Sequence, residues 1–211
     1  MRVCEIFYSL QGESTFQGLP CYFIRTTGCN LRCSYCDTRY AYEEGYNISP
    51  GELLDKVETF RPEIIEITGG EPLIQKDIPS FIKKLVDRKY TVLVETNGSI
   101  NIDIIDRRVI RLVDIKCPSS GMKDRMDFNN LKRLTEKDEL KFIIGNEEDY
   151  KWAKKILNEY DLSDFRNVIF IPVYGVMSYK ELARWILRDR LMVRFQLQLH
   201  KLIWGRDVRG R

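Results

Sequence analysis

The chain has 211 residues, of which 44% are hydrophobic and 31% are charged, a composition typical of a globular protein with one sizeable core. Its 34 basic and 31 acidic residues leave a net charge of +3, too small and too dispersed to favour nucleic acid or an anionic membrane as the main partner. No apolar run approaches the roughly 20 residues of a membrane helix, and the N-terminus lacks the pattern of a secretory signal. We therefore expect a cytoplasmic protein with one domain over residues 1–211.

Short β-branched runs alternate with helix-period runs along the chain. In chain order, strands are predicted at Val3–Tyr8, Cys21–Thr26, Glu63–Thr68, Thr91–Glu95, Arg111–Ile115, Glu139–Ile144, Val168–Val173 and Met192–Leu197. The alternation predicts a parallel sheet of an α/β protein. About six βα units are fewer than the eight of a closed barrel, so we expect an incomplete TIM-type barrel with an N-terminal strand extension.

Four amphipathic helices are predicted between these strands. The first begins at Ser49-Pro50-Gly51-Glu52, which is a capping box with proline at the first helical position. We expect the apolar stripes of these helices to be core. They consist of Leu53, Leu54, Val57 and Phe60; Ile78, Phe81, Ile82, Leu85 and Val86; Tyr150, Ala153, Ile156, Leu157 and Tyr160; and Tyr179, Leu182, Ala183, Ile186 and Leu187.

Three of the six cysteines fall within eight residues, as Cys29, Cys33 and Cys36 in a C-x3-C-x2-C spacing. Three thiolates in one short loop suit a soft metal, either zinc completed by a fourth residue or a cubane iron–sulfur cluster. His200 is the only histidine, and no second pair of ligands follows, so the pattern favours iron–sulfur. Three cysteines leave one iron open to a substrate or cofactor.

The other cysteines, Cys4, Cys21 and Cys117, are expected to be small buried hydrophobes. Cys117 remains a candidate for a fourth metal ligand.

The motifs follow predicted strands, where the loops of parallel sheets carry chemistry. The cysteine loop follows the second strand, and Gly69-Gly70-Glu71-Pro72 follows the third. Thr96-Asn97-Gly98 and Lys116–Gly121 follow the next two strands. A glycine pair lets the backbone approach a ligand closely, although a tight turn explains it equally well.

The cysteine spacing, with Tyr35 before the last cysteine and Gly-Gly-Glu-Pro one strand later, resembles the radical S-adenosylmethionine superfamily. The resemblance implies that Cys29, Cys33 and Cys36 bind a [4Fe-4S] cluster whose open iron chelates S-adenosylmethionine. The reduced cluster would cleave that cofactor to a 5'-deoxyadenosyl radical. The implied cofactor-binding residues are Tyr35, against adenine, with Cys36, Asp37, Gly70, Asp114, Lys116 and Ser119.

Within the superfamily, the chain resembles the 7-carboxy-7-deazaguanine synthase family over nearly its whole length. The motifs are Ser9–Glu13, Gly18–Arg25, Gly28–Cys33, Cys36–Ala41, Thr68–Pro72, Glu95–Gly98, Asp114–Gly121 and His200-Lys201. The implied reaction converts 6-carboxy-5,6,7,8-tetrahydropterin to 7-carboxy-7-deazaguanine with release of ammonia, on the route to queuosine and archaeosine. The resemblance also implies a homodimer, a flavodoxin- or ferredoxin-type reductant and a catalytic use of S-adenosylmethionine.

The resemblance further implies a substrate site. Its residues are Leu10, Gln11, Gly12, Glu13, Arg25, Thr68 and the terminal carboxylate of Arg211. Arg25 would pair with the substrate carboxylate through its guanidinium fork, and Thr38 would bind Mg²⁺. Without the family match, Gln11-Gly12-Glu13 is a turn and Thr38 a cap of the following turn. His200 is assigned no catalytic role, and Ser14 stands where the family often has glycine.

Two other functions compete with this interpretation. A glycyl-radical-enzyme activase shares the cysteine and Gly-Gly-Glu-Pro motifs, but it has no reason for Gln11-Gly12-Glu13 together with Arg25 and Thr38. A structural zinc-binding module would share only the cysteines.

Overall fold

A nine-stranded sheet runs through the computed structural model, which describes residues 1–210. The strands are β1 (Arg2–Leu10), β2 (Pro20–Thr26), β3 (Tyr46–Asn47), β4 (Ile64–Gly69), β5 (Thr91–Thr96), β6 (Ile110–Ile115), β7 (Glu139–Ile144), β8 (Val168–Pro172) and β9 (Arg194–Phe195). Their spatial order is β3-β1-β2-β4-β5-β6-β7-β8-β9. Strand β2 and strands β4 to β9 are parallel, whereas β1 pairs antiparallel with β2 and β3. The sheet is open, with β3 and β9 as its edges.

Helices connect most of the parallel strands. They are α1 (Pro50–Phe60), α2 (Ile78–Asp87), α3 (Asn130–Arg133), α4 (Glu147–Glu159), α5 (Tyr179–Arg188) and α6 (Leu199–Trp204). Single 3₁₀ turns lie at Arg39–Tyr42, Pro72–Ile74, Ile102–Ile104, Pro118–Ser120 and Lys123–Arg125. The predicted capping box begins α1, where the Ser49 hydroxyl accepts from the Glu52 amide and the Glu52 carboxylate accepts from the Ser49 amide. None of the helices within residues 1–210 has the length and apolar character needed to cross a membrane.

The two faces of the sheet have different surroundings, because successive side chains of a strand point to opposite faces. One face packs against the helices in the main apolar core, and its residues include Ile24, Ile65, Ile67, Val94, Val113, Ile115, Leu140, Phe142, Val168 and Phe170. The alternate positions face a cavity and carry several polar side chains: Arg25, Glu66, Thr68, Glu95, Asp114 and Lys141. The sheet therefore has an apolar outer face and a polar inner face.

Most predicted elements are confirmed. The seven predicted strands from Val3–Tyr8 to Val168–Val173 are present with ends shifted by at most two residues. The eighth, Met192–Leu197, is wrong in extent, because only Arg194 and Phe195 pair with β8. The two-residue strand β3 was not predicted, since two residues are too short to show a period.

Tyr179 and Ala183 of the predicted helix stripes are only half-buried and lie outside the core, and two further stripe residues are exposed. Phe60, at the end of α1, is 47% exposed and packs against the rings of Tyr8 and Tyr22. Leu187, in the last turn of α5, is 75% exposed. Both positions follow the helical period, but each lies at the end of its helix, where fewer neighbours cover the stripe.

A buried ion pair joins β6 to the start of β7. The Arg111 side chain is 1% exposed, and its Nη2 lies 2.5 Å from Oδ2 of the fully buried Asp138. The Arg111 Nε and backbone amide both donate to Asp138 Oδ1, at 3.1 and 3.0 Å. Burial acts to raise the pKa of Asp138, but the guanidinium and the Thr135 donors outweigh it, and the net pKa is lowered.

We expect Asp138→Ala to lower the free energy of unfolding by about 3–5 kcal/mol, because it leaves a buried guanidinium unpaired. The folded-state pKa of Asp138 is lowered, so its stabilisation is present above the ordinary carboxyl pKa and is lost as pH falls below it. Urea unfolding at neutral and acidic pH measures both effects. Asp106→Ala, which breaks an ion pair with the exposed Arg108, is the matched control and should cost at most about 1 kcal/mol. Equal losses in the two variants would contradict the role of burial.

Candidate active site

A cavity of about 760 Å³ lies on the inner face of the sheet, with the loops after the strands in its walls. It brings together every predicted site residue that the structure describes: Leu10, Gln11, Gly12, Glu13, Arg25, Cys29, Cys33, Tyr35, Cys36, Asp37, Thr38, Thr68, Gly70, Asp114, Lys116 and Ser119. The remaining one, Arg211, lies outside the described residues. The cavity thus joins residues that are far apart in the sequence.

The cysteine loop packs closely against the loop after β4. A Cβ atom on Gly70 would lie 2.0 Å from the Gly28 carbonyl oxygen and 2.8 Å from Cys29 Cβ. The Gly70 amide donates to Thr26 O at 3.2 Å, and the Glu71 amide donates to Gly28 O at 2.8 Å. The glycine was expected to admit a ligand to the backbone. In the structure, the absence of a side chain at Gly70 instead allows the cysteine loop to pack against this backbone.

A buried carboxylate links this contact to the next strand. Glu71 accepts from the Asn97 amide at 2.6 Å, the Leu73 amide at 3.0 Å and the Thr96 hydroxyl at 2.9 Å. Burial raises the pKa of Glu71 to about 7, although these donors act to lower it. The Asn97 Nδ2 in turn donates to Cys29 Sγ at 3.8 Å. Glu71 therefore positions a hydrogen-bond donor beside one of the three thiols.

The surroundings of the three thiols fit an iron–sulfur cluster. All three are free and half-buried, and Cys29 Sγ also accepts from the Leu31 amide at 3.4 Å. Burial raises the pKa of Cys29 and Cys33, while the nearby Lys116 ammonium acts to lower both. Within residues 1–210, no three His, Cys, Asp or Glu side chains are grouped so as to hold one metal ion. A cubane cluster does not require such a group, because each cysteine binds a different iron.

The other cysteines follow the sequence predictions in part. Cys21 and Cys117 are fully buried, as predicted, whereas Cys4 is only half-buried. Cys117 packs in the main core and is not among the residues that line the cavity. The suggestion of Cys117 as a fourth ligand is therefore wrong.

An apolar wall lies beside the cysteine loop. Tyr35 packs against a cluster from the inner face of β7 and β8 and the residue after β8: Ile143, Ile169, Ile171 and Val173. Burial raises the pKa of the Tyr35 phenol, and its hydroxyl has no hydrogen-bond partner among the described residues. A flat aromatic ligand would find apolar contacts on this wall.

Charged and hydroxyl groups at the ends of β6 and β7 complete this side. Lys116 Nζ donates to Asp114 Oδ2 at 2.8 Å, and Asp114 Oδ1 is buried without a partner in the described part of the chain. Asp149 fixes the Ser119 loop, because it accepts from the Ser119 amide at 2.8 Å, from the Ser119 hydroxyl and from the Gly145 amide at 2.8 Å. An orphaned buried acceptor fits a ligand that brings its own donor.

A polar floor of five residues, Gln11, Glu13, Glu66, Glu95 and Lys141, forms the other half of the cavity. Lys141 Nζ lies 2.8 Å from Glu13 Oε2 and also contacts Glu95 Oε1. The Gln11 side-chain amide donates to Glu66, and its oxygen accepts from the Glu13 amide at 3.0 Å. Burial raises the pKa of Glu66 well above its usual value, and the Glu95 carboxylate raises it further.

Sequence reasoning did not assign roles to Glu66, Glu95 or Lys141. A signal was available, because each is a charged residue on an otherwise apolar strand, the pattern that drew attention to Arg25. In the structure Arg25 Nε lies 2.7 Å from Glu5 Oε1, and its guanidinium is 5.6 Å from the centre of the Phe7 ring.

Thr38 and Asp37 place neighbouring oxygen atoms in the cavity wall. The Thr38 hydroxyl donates to Asp37 Oδ1 at 3.0 Å. It makes no capping bond to the turn at Arg39–Tyr42, so the alternative that Thr38 caps this turn is wrong. Lys201 of α6 forms an ion pair with Asp37, and burial acts to raise the pKa of Asp37 but that ammonium lowers it overall.

His200, which was assigned no role, lies in the cavity wall against Gly12. A Cβ atom on Gly12 would be 2.0 Å from His200 Nδ1. Burial lowers the pKa of His200, against the opposing effect of the nearby Glu13 and Asp37 carboxylates. Ser14, two residues along the same loop, has a φ of 72°, the left-handed region that glycine adopts without strain. A glycine, which the resemblance leads us to expect at this position, would adopt this conformation without strain.

Comparisons with known proteins identify what the chain is similar to. The Radical SAM superfamily model matches residues 23–187. The 7-carboxy-7-deazaguanine synthase of Chlorobaculum tepidum is 43% identical, with 100% of this chain and 97% of that protein covered. The enzyme of the same name from Koribacter versatilis is 38% identical, with both proteins covered completely. The crystal structure of QueE from Escherichia coli has the same open, mostly parallel fold, with a TM-score of 0.79, 22% identity and 94% of each chain covered.

We expect Gly12→Ala to displace the His200 ring and weaken ligand binding in the cavity about tenfold, at a cost of about 1–3 kcal/mol in stability from overpacking. Isothermal titration calorimetry measures the ligand affinity, and urea unfolding measures the change in stability. Gly51→Ala is the matched control, because a Cβ there meets only Ser49 Oγ, at 3.8 Å. In helix α1 that change should stabilise the protein by about 0.5–1 kcal/mol. If Gly12→Ala leaves ligand affinity and stability as Gly51→Ala does, the packing of His200 against Gly12 does not determine the shape of the site.

Proposed function

The chain belongs to the radical S-adenosylmethionine superfamily and, within it, to the 7-carboxy-7-deazaguanine synthase family, and we propose from this premise how its residues carry the reaction. The reaction converts 6-carboxy-5,6,7,8-tetrahydropterin to 7-carboxy-7-deazaguanine with release of ammonia, in 7-deazapurine biosynthesis. The observation that carries the proposal is one cavity in which the cysteine loop faces a polar floor. The relatives that match over their full length carry the synthase name, which does not support the activase alternative.

The protein uses a [4Fe-4S] cluster and S-adenosylmethionine as a member of this superfamily, together with Mg²⁺. When bound, these groups supply the abstraction of a hydrogen atom from the substrate. The protein residues bind, orient and shield the reacting molecules.

Cys29, Cys33 and Cys36 are the proposed cluster ligands. The remaining cofactor site would divide into an apolar and a polar part. Tyr35 and the apolar wall would hold the adenine ring, whereas Asp114, Lys116 and Ser119 would hold the ribose and the amino acid end. The unpartnered Asp114 Oδ1 supports this assignment, because a ribose hydroxyl would satisfy it. Asp37 and Gly70 are proposed here as backbone contacts, since the Asp37 side chain is already paired with Lys201.

The substrate would lie over the polar floor with its carboxylate toward Arg25. A guanidinium binds two carboxylate oxygens at once and so fixes the ring plane. Thr38 would add one hydroxyl to the hydrated Mg²⁺, a hard ion that prefers oxygen and keeps several waters. Leu10, Gln11, Gly12, Glu13 and Thr68 would contact the ring. Much of the hydrogen-bonding capacity of Gln11 and Gly12 is used within the protein, which holds their loop in place.

The wider setting is also part of the proposal. We infer a cytoplasmic protein that acts as one domain over residues 1–211, in a homodimer, with electrons from a flavodoxin- or ferredoxin-type reductant.

The reaction can be tested with anaerobically reconstituted protein. With iron, sulfide, reductant, S-adenosylmethionine, Mg²⁺ and 6-carboxytetrahydropterin, we expect 7-carboxy-7-deazaguanine by mass spectrometry. Formation of 5'-deoxyadenosine without that product would retain the radical chemistry and exclude this substrate. A colourless protein that binds zinc and assembles no cluster would support the zinc-binding module instead.

We expect Arg25→Ala to raise the KM for the tetrahydropterin about ten- to hundredfold, because a charge-assisted hydrogen bond contributes about 1.5–3 kcal/mol. Iron and sulfide content should not change. Arg88→Ala, at an exposed ion pair with Glu58, is the matched control and should leave KM unchanged. An unaltered KM in Arg25→Ala would show that another group binds the carboxylate.

A further inference from the structure

Lys141 occupies the centre of the polar floor. Its side chain, on the inner face of β7, is only 5% exposed. The ammonium lies 2.8 Å from Glu13 Oε2, contacts Glu95 Oε1 and lies 3.7 Å from Asp114 Oδ2. These partners come from the loop after β1, from β5 and from β6. One cation therefore ties three separate segments of the site together.

The Lys141 ammonium affects the pKa of the carboxylates that it contacts, Glu13 and Glu95. The charged and titratable groups that line this part of the cavity are Glu13, Arg25, Glu66, Glu95, Asp114, Lys116 and His200, and Glu139 lies two residues before Lys141 in β7, within reach of its charge. Burial acts to raise the pKa of Glu13, but the Lys141 ammonium lowers it to about 2. Burial acts likewise on Glu95, and Lys141 again lowers the net pKa. Glu66, which has no ion pair with Lys141, has its pKa raised. The ammonium thus lowers the pKa of the two carboxylates that it contacts, whereas the pKa of Glu66, with which it forms no ion pair, is raised.

The ionised pair has the chemistry that a pterin ring requires. The pyrimidine half of a pterin carries a ring N–H and an exocyclic amino group side by side, and the reduced ring adds further N–H groups. All of these are hydrogen-bond donors. An ionised carboxylate offers acceptors only, whereas a protonated one presents a competing O–H. Glu13 and Glu95 can therefore accept from the ring as long as Lys141 keeps them ionised.

Stability alone does not account for a lysine at this position. Its sequence neighbours Leu140 and Phe142 are fully buried in the main core. A buried ion pair is often no more stable than apolar side chains of similar volume, because both charges lose their hydration. The carboxylates also reach the cavity, where a ligand could use their remaining lone pairs.

We propose that Lys141 is a positioning residue for the substrate: it holds the carboxylates of Glu13 and Glu95 in place as acceptors for the N–H groups of the pterin ring. This inference rests on the proposed function. Lys141 acts through the two glutamates and is not itself placed against the reacting carbon atoms.

The test uses the reconstituted holoenzyme with Lys141→Met, which keeps the length of the side chain and removes its charge. We expect the Kd of the tetrahydropterin, measured by equilibrium dialysis, and its KM to rise about ten- to hundredfold at neutral pH. The KM for S-adenosylmethionine and the iron content should stay the same. The defect should shrink as pH rises, because the glutamates then ionise without the ammonium. Lys141→Arg, which retains the charge, should recover part of the affinity.

Two further variants separate positioning from folding. Lys154→Met removes a lysine paired with Asp189 on the helical side of the sheet, and it should leave Kd and KM unchanged. If Lys141→Met does not fold, the triple variant Glu13→Gln, Glu95→Gln and Lys141→Met leaves neither partner carboxylate without its cation, and it should fold but bind weakly. Product from the wild type with an unchanged Kd and pH profile in the folded variant would overturn the role of Lys141 alone. No product from the wild type would overturn the proposed function.

Discussion

The charged side chains on the inner face of the sheet can pair only with other groups that line the cavity or with a ligand. Parallel strands have alternating faces, and the outer face of this sheet is covered by helices. Any charge at an alternate position is therefore confined to the cavity. Lys141 satisfies this constraint by contacting carboxylates from two neighbouring segments of the floor, Glu13 and Glu95. The Lys141 ammonium therefore determines the arrangement of the polar floor more than any other group does.

The cysteine loop depends on a second contact, which is steric. Gly70 allows the loop after β4 to touch Gly28 and Cys29, and Glu71 then holds Asn97 beside the Cys29 sulfur. Because β2 and β4 are adjacent, this contact also fixes the cysteine loop relative to the floor. The position of the cysteine loop relative to the polar floor is therefore determined by backbone packing, not by mobile side chains.

The end of the chain connects the same two regions. In α6 and the residue before it, Lys201 pairs with Asp37 of the cysteine loop, and Gln198 donates to Glu13 at 2.8 Å. The Leu199 amide donates to Gly12 O at 2.9 Å. One short segment thus contacts both the cysteine loop and the loop after β1, so changes in residues 198–201 are expected to affect both.

Much of the fold could be predicted from sequence, because strands such as Glu139–Ile144 and the capping box at Ser49 are local signals. The motif residues could also be predicted to meet, since parallel strands bring their following loops together. Lys141 was harder, because a charge within a largely apolar strand does not reveal which carboxylates it will face. The packing reason for Gly70 depends on the cysteine loop, which is 41 residues earlier in the chain when counted from Cys29. Such contacts between distant segments have no local sequence signal.

The inner face of the sheet is divided, and this division explains how one cavity could accept two different molecules. Its polar part, which includes Glu66 and Lys141, would complement a ligand rich in N–H donors, whereas Ile143, Val173 and Tyr35 would complement a flat base. The change occurs within β7, where Lys141 and Ile143 are neighbours on the same face. Successive side chains of a strand point to opposite faces of the sheet. A shift of this boundary by one residue along β7 would therefore bring an outer-face residue into the cavity. Strand β7 therefore determines where the polar part of the inner face ends and the apolar part begins.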